Sequence, residues 1–231
     1  MKQPGNGIFS GFSRDSVKFF SGLEANNSKP WFEANRQRYN ELYDSFTGLV
    51  LAMNETMLSI DPQFEIQPKK VISRIYRDIR FSRDKTPYKT CAWFTFKRPG
   101  VDMNEFPVYF FELSAGMYRY GMGFYSATKR ALDSYRSGIQ KETQEFTVMI
   151  KSLEKKKFMA EGEMYKRRID NDLPEELQDW FQRKNLFFMK TCSIDENIYS
   201  HGIVKVLQKD FVTLVPFYRF LVCAIAGRQL F

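Results

Sequence analysis

The sequence predicts an α+β fold in which helices flank a central, mainly antiparallel sheet. Apolar residues recur at three- and four-residue steps near both ends of the chain, at 14–60 and 200–226, which is helical spacing. Between them, residues 64–125 are rich in β-branched and aromatic side chains that alternate at period two, as in strands. A run of strands between helical segments favours α+β, because the helices can cover the apolar face of the sheet.

Two helices are predicted at the start of the chain. Ser13 can cap the first, which ends near the turn sequence at 26–28. A long second helix should begin at Ser28 or Lys29, carry Pro30 in its first turn, and end at Asp61-Pro62. Its apolar stripe is expected to lie in the core and comprises Phe32, Tyr39, Leu42, Phe46, Leu49, Met53, Met57 and Ile60.

The middle of the chain is predicted to be an antiparallel meander. Strands are expected at 92–96, 108–113 and 117–124, and turn sequences at 98–100 and 114–116 separate them. The further elements predicted are a helix capped by Ser126, a helix at 145–153, a short strand at 158–168, a helix from an Asp172–Glu175 capping pair to Asn185, a strand at 186–192, and two helices broken near Pro216.

Length and composition predict a single domain spanning residues 1–231. A chain of 231 residues can form one core, and its 9 prolines and 13 glycines are scattered rather than gathered in a linker. Residues 1–6 are polar with no apolar stretch behind them, so we expect a cytoplasmic protein rather than a secreted one. Pro216 and Arg219 interrupt the most apolar segment, so no membrane association is expected.

No metal or cofactor is expected from the cysteines, histidines and glycines. Cys91, Cys192 and Cys223 are far apart and lack the spacing of a zinc site or a disulfide framework, which favours free thiols. His201 is the sole histidine, which excludes sites built from several histidines. The glycines at 121 and 123 lack the third glycine of a dinucleotide-binding loop.

Positive charge is concentrated in two windows of the sequence. The formal net charge is +8 at pH 7, and residues 64–100 hold ten Lys/Arg against three Asp/Glu. Residues 151–168 hold seven Lys/Arg against three Glu, although the lysine run at 155–157 is typical of a solvated surface. This distribution indicates an anionic partner, either a phosphate-bearing small molecule or a nucleic acid.

The most specific feature of the sequence is the segment Arg74–Lys89, RIYRDIRFSRDKTPYK. It resembles the hallmark of a bacterial family of conserved hypothetical proteins of about this length, Arg-x-x-Arg-Asp-x-Arg-Phe followed by Asp-Lys and Tyr. The matching positions are Arg74, Arg77, Asp78, Arg80, Phe81, Asp84, Lys85 and Tyr88. The resemblance also covers residues 29–35, and it implies family membership without an assigned reaction, ligand or catalytic residue.

The residue types of this segment suit an anion site, because the guanidinium group binds carboxylate or phosphate with two parallel hydrogen bonds. The expected anion-binding residues are Arg74, Arg77, Arg80, Lys85 and Lys89, with Asp78, Asp84 and Tyr88 as orienting or acid–base candidates. If residues 72–80 are extended, as their β-branched side chains favour, alternate residues from 74 to 80 share one face. If the segment is helical, its isoleucines form a buried stripe instead.

Three functions remain open at this point. The first is binding of an anionic ligand; an enzymatic version would need Asp78 or Asp84 as a base with a pKa shifted toward neutrality. The second is a nucleic-acid-binding module that uses both basic windows for phosphates and strand aromatics for stacking, namely Tyr109, Phe111, Tyr118, Tyr120 and Tyr125. The third is a scaffold or interaction protein in which Arg77–Asp78 and Arg80–Asp84 form internal salt bridges, with Glu33 and Glu112 as the further carboxylate partners expected.

Overall fold

The α+β class is confirmed by a computed structural model that describes residues 9–124, 126–228 and 230. Within these residues the helices are α1 (Arg14–Ala25), α2 (Lys29–Ala34), α3 (Arg36–Ile60), α4 (Pro68–Val71), α5 (Lys129–Lys141), α6 (Thr143–Glu154), α7 (Gln178–Phe181), α8 (Gly202–Thr213) and α9 (Val215–Ile225). The strands are β1 (Cys91–Phe96), β2 (Val108–Ser114), β3 (Met117–Gly123), β4 (Met159–Glu161) and β5 (Phe187–Ser193).

The strands form one antiparallel sheet in the order β1-β2-β3-β5-β4. The first three strands are the predicted meander, and the short strand β4 lies at an edge, where Met159 is opposite Met189 of β5. Beside β1, the extended residues Ile72 and Ser73 pair with the strand backbone: Ile72 bridges Phe94, and the Ser73 N–H donates to the Trp93 carbonyl at 2.8 Å.

Two compact units can be distinguished, and the first comprises Met1–Phe96, Phe110–Arg119 and Thr191–Lys209. Its core is aromatic. The rings of Phe12 and Phe46 lie 5.1 Å apart, and those of Phe94 and Phe111 lie 5.4 Å apart in a stacked arrangement. The stripe predicted for the second helix is largely buried here, because α3 places Leu42, Phe46, Leu49, Val50, Met53 and Met57 in this core.

The second unit comprises Lys97–Tyr109, Tyr120–Lys190 and Asp210–Phe231. Helices α5 and α6 pack against α9, and Phe146 lies 4.9 Å from Phe220 between ring centroids. Trp180 and Phe188 extend the same cluster at 5.0 Å. The single domain predicted for residues 1–231 stays a prediction.

The predicted long second helix is corrected to two helices that meet at Asn35. Ser28 caps α2 as expected, and its side chain accepts a hydrogen bond from the Trp31 N–H. At Asn35 the backbone takes φ −109°, and the Asn35 side chain donates to the Trp31 carbonyl at 2.9 Å beside the retained backbone bond at 3.1 Å. The chain resumes as α3 at Arg36.

Three other boundaries also differ from the prediction. The cap of α5 is Thr128 rather than Ser126, because the Thr128 hydroxyl accepts from the Ala131 N–H at 3.2 Å. The strand predicted at 158–168 ends after three residues at Gly162, where φ is +132° and an added Cβ would lie 2.0 Å from the Asn185 carbonyl oxygen.

The helix predicted from an Asp172–Glu175 capping pair is also shorter than expected. It consists of a 3₁₀ turn at Glu175–Leu177 followed by α7, and Pro174 precedes it without a side-chain cap. The side chain that bonds to this turn is that of Asn171, which accepts from the Leu173 N–H at 3.0 Å and from the Gln178 side-chain amide at 2.9 Å.

Candidate functional site

Residues 74–89, the arginine hairpin, fold back on themselves rather than forming a helix or a strand of the main sheet. Tyr76 and Tyr88 form an antiparallel bridge. On either side, the Arg77 N–H donates to the Pro87 carbonyl at 2.9 Å and the Lys89 N–H donates to the Ile75 carbonyl at 2.8 Å. The exposed residues alternate in the first arm, as an extended segment requires: Arg74, Tyr76, Asp78 and Arg80 are exposed, whereas Ile75 is buried.

The base of the hairpin is anchored through Tyr88. The Asn27 side chain donates to the Tyr88 carbonyl at 2.9 Å and accepts from the Tyr88 N–H at 3.1 Å, so it imitates a paired strand. The Tyr88 ring stacks on Phe32 with centroids 4.2 Å apart. Burial raises the pKa of Tyr88, so this phenol keeps its proton and has a positioning role.

Arg77 closes the loop of the hairpin through Asp84 and Thr86. The Arg77 guanidinium donates to the Asp84 carboxylate and, at 2.6 Å, to the Thr86 hydroxyl. The same carboxylate accepts from the Thr86 N–H at 2.9 Å. These bonds, first that from the Thr86 backbone and then that from Arg77, lower the pKa of Asp84 to about 2.

Arg80 is held by Asp78 in an exposed, bidentate ion pair. The guanidinium donates to the two carboxylate oxygens at 2.9 and 2.7 Å, and this pairing lowers the pKa of Asp78 to about 2. Exposed ion pairs of this kind contribute little to stability, because water solvates both partners well. A competing anion can therefore displace Asp78 from Arg80 at little cost.

The two candidate lysines differ in their surroundings. Lys89 points inward: its ammonium donates to the Ser73 hydroxyl at 2.9 Å and to the Arg74 carbonyl at 2.6 Å, and it lies 4.2 Å from the centre of the Trp93 ring. Burial lowers the pKa of Lys89. Lys85 is exposed and donates to the Ile79 carbonyl at 2.9 Å, and it has no carboxylate partner among the described residues.

The exposed surface of the hairpin carries two further cations and two aromatic rings. Among the residues that the structure describes, the side chains of Arg74 and Arg83 make no hydrogen bond or ion pair, and both are exposed. Phe81 is 94% exposed and lies beside Arg80, whose guanidinium is 5.8 Å from the ring centre. Tyr76 is 51% exposed.

The carboxylates expected to balance the hairpin from elsewhere do not do so. Glu33 pairs with Arg36, one turn away on the neighbouring helix, and Glu112 pairs with Arg119 at 2.7 Å on the adjacent strand. Both glutamates thus take the nearest cation in their own element or its neighbour. The sequence pattern gives no signal for Asn27 and Thr86, the side chains that fix the hairpin.

Neither aspartate of the hairpin has the electrostatic environment of a general base. An enzymatic role required a pKa shifted toward neutrality, but the pKa values of Asp78 and Asp84 are lowered to about 2. Both carboxylates are therefore fully ionised near neutral pH. Their role in the geometry is to hold Arg80 and Arg77.

This electrostatic arrangement gives a first prediction. The substitution Arg80→Ala is expected to raise the pKa of Asp78 from about 2 toward its ordinary value of 3.8, because the bond from Arg80 is the main cause of the shift. Asp84 is the control within the same molecule, since its pKa depends on Thr86 and Arg77 and should stay at about 2. Carbon-detected NMR titration of the two carboxyl groups measures both values.

An unchanged Asp78 pKa in this variant would contradict the bidentate pair.

The sign of the pH dependence of stability follows from the lowered pKa values of the two aspartates. Because the folded pKa of each aspartate is depressed, the stabilisation from each pair is present above pH 3.8 and is lost as the pH falls through about 2.

Two cavities lie in the second unit. One, of about 310 Å³, is lined by Ser137 of α5, by Phe220 of α9 and by Glu142, which follows α5, among others. The other, of about 480 Å³, is lined by residues that include Thr143 and Asp170. None of the predicted site residues lines either cavity. The hairpin cations instead lie on an exposed surface.

The strand aromatic residues and the second basic window, which were expected to form a broader nucleic-acid surface, do not both lie exposed and unpaired. Tyr109, Phe111, Tyr118 and Tyr120 are buried, and Tyr125 lies outside the described residues. In the second basic window, Lys151 pairs with Glu176 at 2.6 Å and Arg168 pairs with Glu175 at 3.5 Å. The exposed aromatic residues that accompany arginines are those of the hairpin.

Comparison with known proteins identifies a family. Residues 15–220 match the family model described as conserved hypothetical protein (DUF2461). No curated protein matches the chain. None of the described helices is both long and apolar enough to cross a membrane, and the described residues contain no group of three or more metal-ligating side chains.

Proposed function

The chain belongs to the DUF2461 family of conserved hypothetical proteins, and from the geometry of its arginine hairpin we propose that it binds an anionic, phosphate- or carboxylate-bearing partner. In this proposal, the arginine-rich motif that resembles the family hallmark is the binding element. The bacterial origin and the cytoplasmic location expected from the sequence are also part of the proposal.

The observation that carries the proposal is the unbalanced positive charge of one small element. Residues 74–89 contain six Lys/Arg and two Asp. Both aspartates are used by Arg77 and Arg80, and Lys89 is bonded to neutral groups. Three cations remain, namely Arg74, Arg83 and Lys85. They are exposed and have no carboxylate partner among the described residues. Arginine keeps its charge at any physiological pH, so this surface attracts anions.

The spacing of these cations favours a partner with several charges in series. Arg74 and Arg80 are six residues apart on an extended arm, which is up to about 20 Å at about 3.3 Å per residue. A single phosphate carries only about two negative charges, so a partner with several phosphates or carboxylates neutralises more of this surface. Arg80 can take part because its pair with Asp78 is exposed and weak.

The rest of the motif supports a structural role. Arg77, Asp84 and Thr86 close the loop, and Tyr88 and Lys89 anchor its base. The proposed division is therefore that these residues hold the hairpin, whereas Arg74, Arg80, Arg83 and Lys85 contact the partner. A purely structural motif is the alternative, and it is favoured by the internal pairs of Arg77 and Arg80.

The proposal predicts preferential binding of a polyanion. Inorganic polyphosphate should bind more tightly than orthophosphate at the same ionic strength, because each polyphosphate molecule brings more negative charges to the exposed cations. The triple substitution Arg74→Ala, Arg83→Ala and Lys85→Ala should weaken polyphosphate binding by roughly five- to a hundredfold, taking about 0.3–1 kcal/mol for each exposed contact. Isothermal titration calorimetry measures both affinities.

The matched control is the triple substitution Lys155→Ala, Lys156→Ala and Lys166→Ala, which also removes three positive charges, from exposed lysines of the second unit. This variant should bind polyphosphate nearly as well as the unmodified chain. Equal losses in the two variants would show that only net charge matters, and an absence of polyphosphate binding would reject the proposal.

A further inference from the structure

We infer that the anionic partner is a single-stranded nucleic acid, whose bases stack on Phe81 and Tyr76 while its phosphates contact the hairpin cations. This inference rests on the proposed function and names the class of partner for the same surface.

Phe81 is the observation that points beyond simple charge attraction. A phenylalanine ring is normally placed out of water, yet this ring is 94% exposed and is the most exposed of the large apolar side chains described. Two charged side chains of the same loop have hydrogen-bond partners: Arg80 is paired with Asp78, and Lys85 donates to the Ile79 carbonyl. The loop thus holds its one fully apolar ring in solvent between Arg80 and Arg83, and the Arg83 side chain has no hydrogen bond or ion pair among the described residues. This is the arrangement of a residue that contacts a partner.

Tyr76 supplies a second ring, and it is held in place. Its centroid lies 5.4 Å from that of Tyr88 and 6.2 Å from that of Phe32, both of which are buried. The other half of the side chain is exposed. A ring fixed on one side and open on the other loses little side-chain entropy when a flat group stacks on it.

The order of residues along the hairpin alternates cations with these rings. Arg74 is followed on the same exposed face by Tyr76 and Arg80, and then Phe81 lies between Arg80 and Arg83. A single strand of nucleic acid has the complementary order, since each nucleotide carries one phosphate and one planar base. The bases of a duplex are stacked inside the helix and cannot reach an exposed ring without unstacking, so the single strand fits better.

Other polyanions satisfy only part of this surface. Polyphosphate and acidic peptides neutralise the arginines but offer no series of flat rings to Phe81 and Tyr76. An anionic membrane would bury Phe81 in its interface, but it gives no reason for the ring order along the arm. These alternatives are outcomes of the experiment below.

The experiment measures binding of short fluorescein-labelled oligothymidylate and oligouridylate by anisotropy, with inorganic polyphosphate and vesicles of anionic phospholipid as probes of the other classes. Phe81→Ala should weaken oligonucleotide binding about 5- to 150-fold, corresponding to about 1–3 kcal/mol for one stacked base. The same substitution should leave polyphosphate affinity unchanged, and Phe81→Trp should restore oligonucleotide binding. The exposed position of Phe81 makes it suitable for substitution, and a thermal melt verifies that each variant is folded.

Val148→Ala is the matched control, because this residue is also an exposed apolar side chain, at 65% exposure, and lies on α6. It should not change any affinity. Oligonucleotide binding that is insensitive to Phe81→Ala, or Phe81-dependent binding to vesicles without binding to oligonucleotides, would overturn the inference. If polyphosphate binding still depends on Arg74, Arg83 and Lys85 in that case, the proposed function stands alone; if that dependence is also missing, both fail.

Discussion

Replacing Phe46 with alanine is expected to lower the free energy of unfolding by about 3–5 kcal/mol, as for other buried aromatic residues. Phe46 is 1% exposed and lies on the buried face of α3. Its ring contacts three others, with centroids at 5.1 Å from Phe12, 6.0 Å from Phe111 and 6.3 Å from Phe94. Truncation removes these contacts and leaves a cavity that rings on several elements cannot all move to fill.

Chemical denaturation with urea measures this loss. The control is Leu51→Ala on the same helix, because Leu51 is 53% exposed and its truncation should change stability by less than about 1 kcal/mol. A loss below about 1 kcal/mol for Phe46→Ala would contradict the placement of this face in the core.

The second large effect is expected in the second unit, at Asp210. Its carboxylate accepts from the Tyr120 hydroxyl at 2.7 Å and from the Lys190 ammonium at 2.7 Å, and the side chains of Asp210 and Lys190 are 11% and 18% exposed. Asp210→Ala should lower the free energy of unfolding by about 3–5 kcal/mol, because it leaves the Lys190 charge largely buried without its carboxylate.

Two further variants test this explanation. Asp210→Asn keeps an acceptor for the hydroxyl and should lose less stability than the alanine variant. The double substitution Asp210→Leu and Lys190→Met removes both charges together and should recover part of the loss, since an apolar pair of similar volume replaces the ion pair. Denaturant unfolding of all three variants decides the matter; a double variant no more stable than Asp210→Ala would contradict a charge-based origin.

Local sequence patterns were sufficient to predict the elements whose causes are local. Ser13 and Ser28 cap helices as expected, because an N-cap depends on a side chain and the amides that follow it. The three strands of the meander were also predictable from alternation alone. The break at Asn35 could not be predicted, because the apolar positions of the helix continue on both sides of it, at Phe32 and Tyr39. The bond from the Asn35 side chain to the Trp31 carbonyl is visible only in the structure.

The extended conformation of the first arm of the hairpin was predictable, whereas its ion pairs were not. The sequence indicated one exposed face in an extended arm, and Arg74, Arg80 and Asp78 do share it. The expected pairs Arg77–Asp78 and Arg80–Asp84 are wrong, because the structure pairs Arg77 with Asp84 and Arg80 with Asp78. Sequence separation alone does not determine which aspartate each guanidinium reaches, since that depends on how the hairpin folds back. The exposure of Phe81 was also unforeseen, since an aromatic residue in a strand-rich segment is usually buried.

The order of the strands has a consequence for how copies of the protein meet in solution. An open sheet edge offers unpaired backbone groups to another molecule and promotes association. At the β1 edge, Ile72 and Ser73 already pair with the strand backbone. At the other edge, β4 has only three residues and follows the exposed lysines 155–157, so a second β4 would bring like charges together over a very short pairing length. Exposed lysines beside a three-residue edge strand are an arrangement that disfavours edge-to-edge pairing, and it needs no ligand.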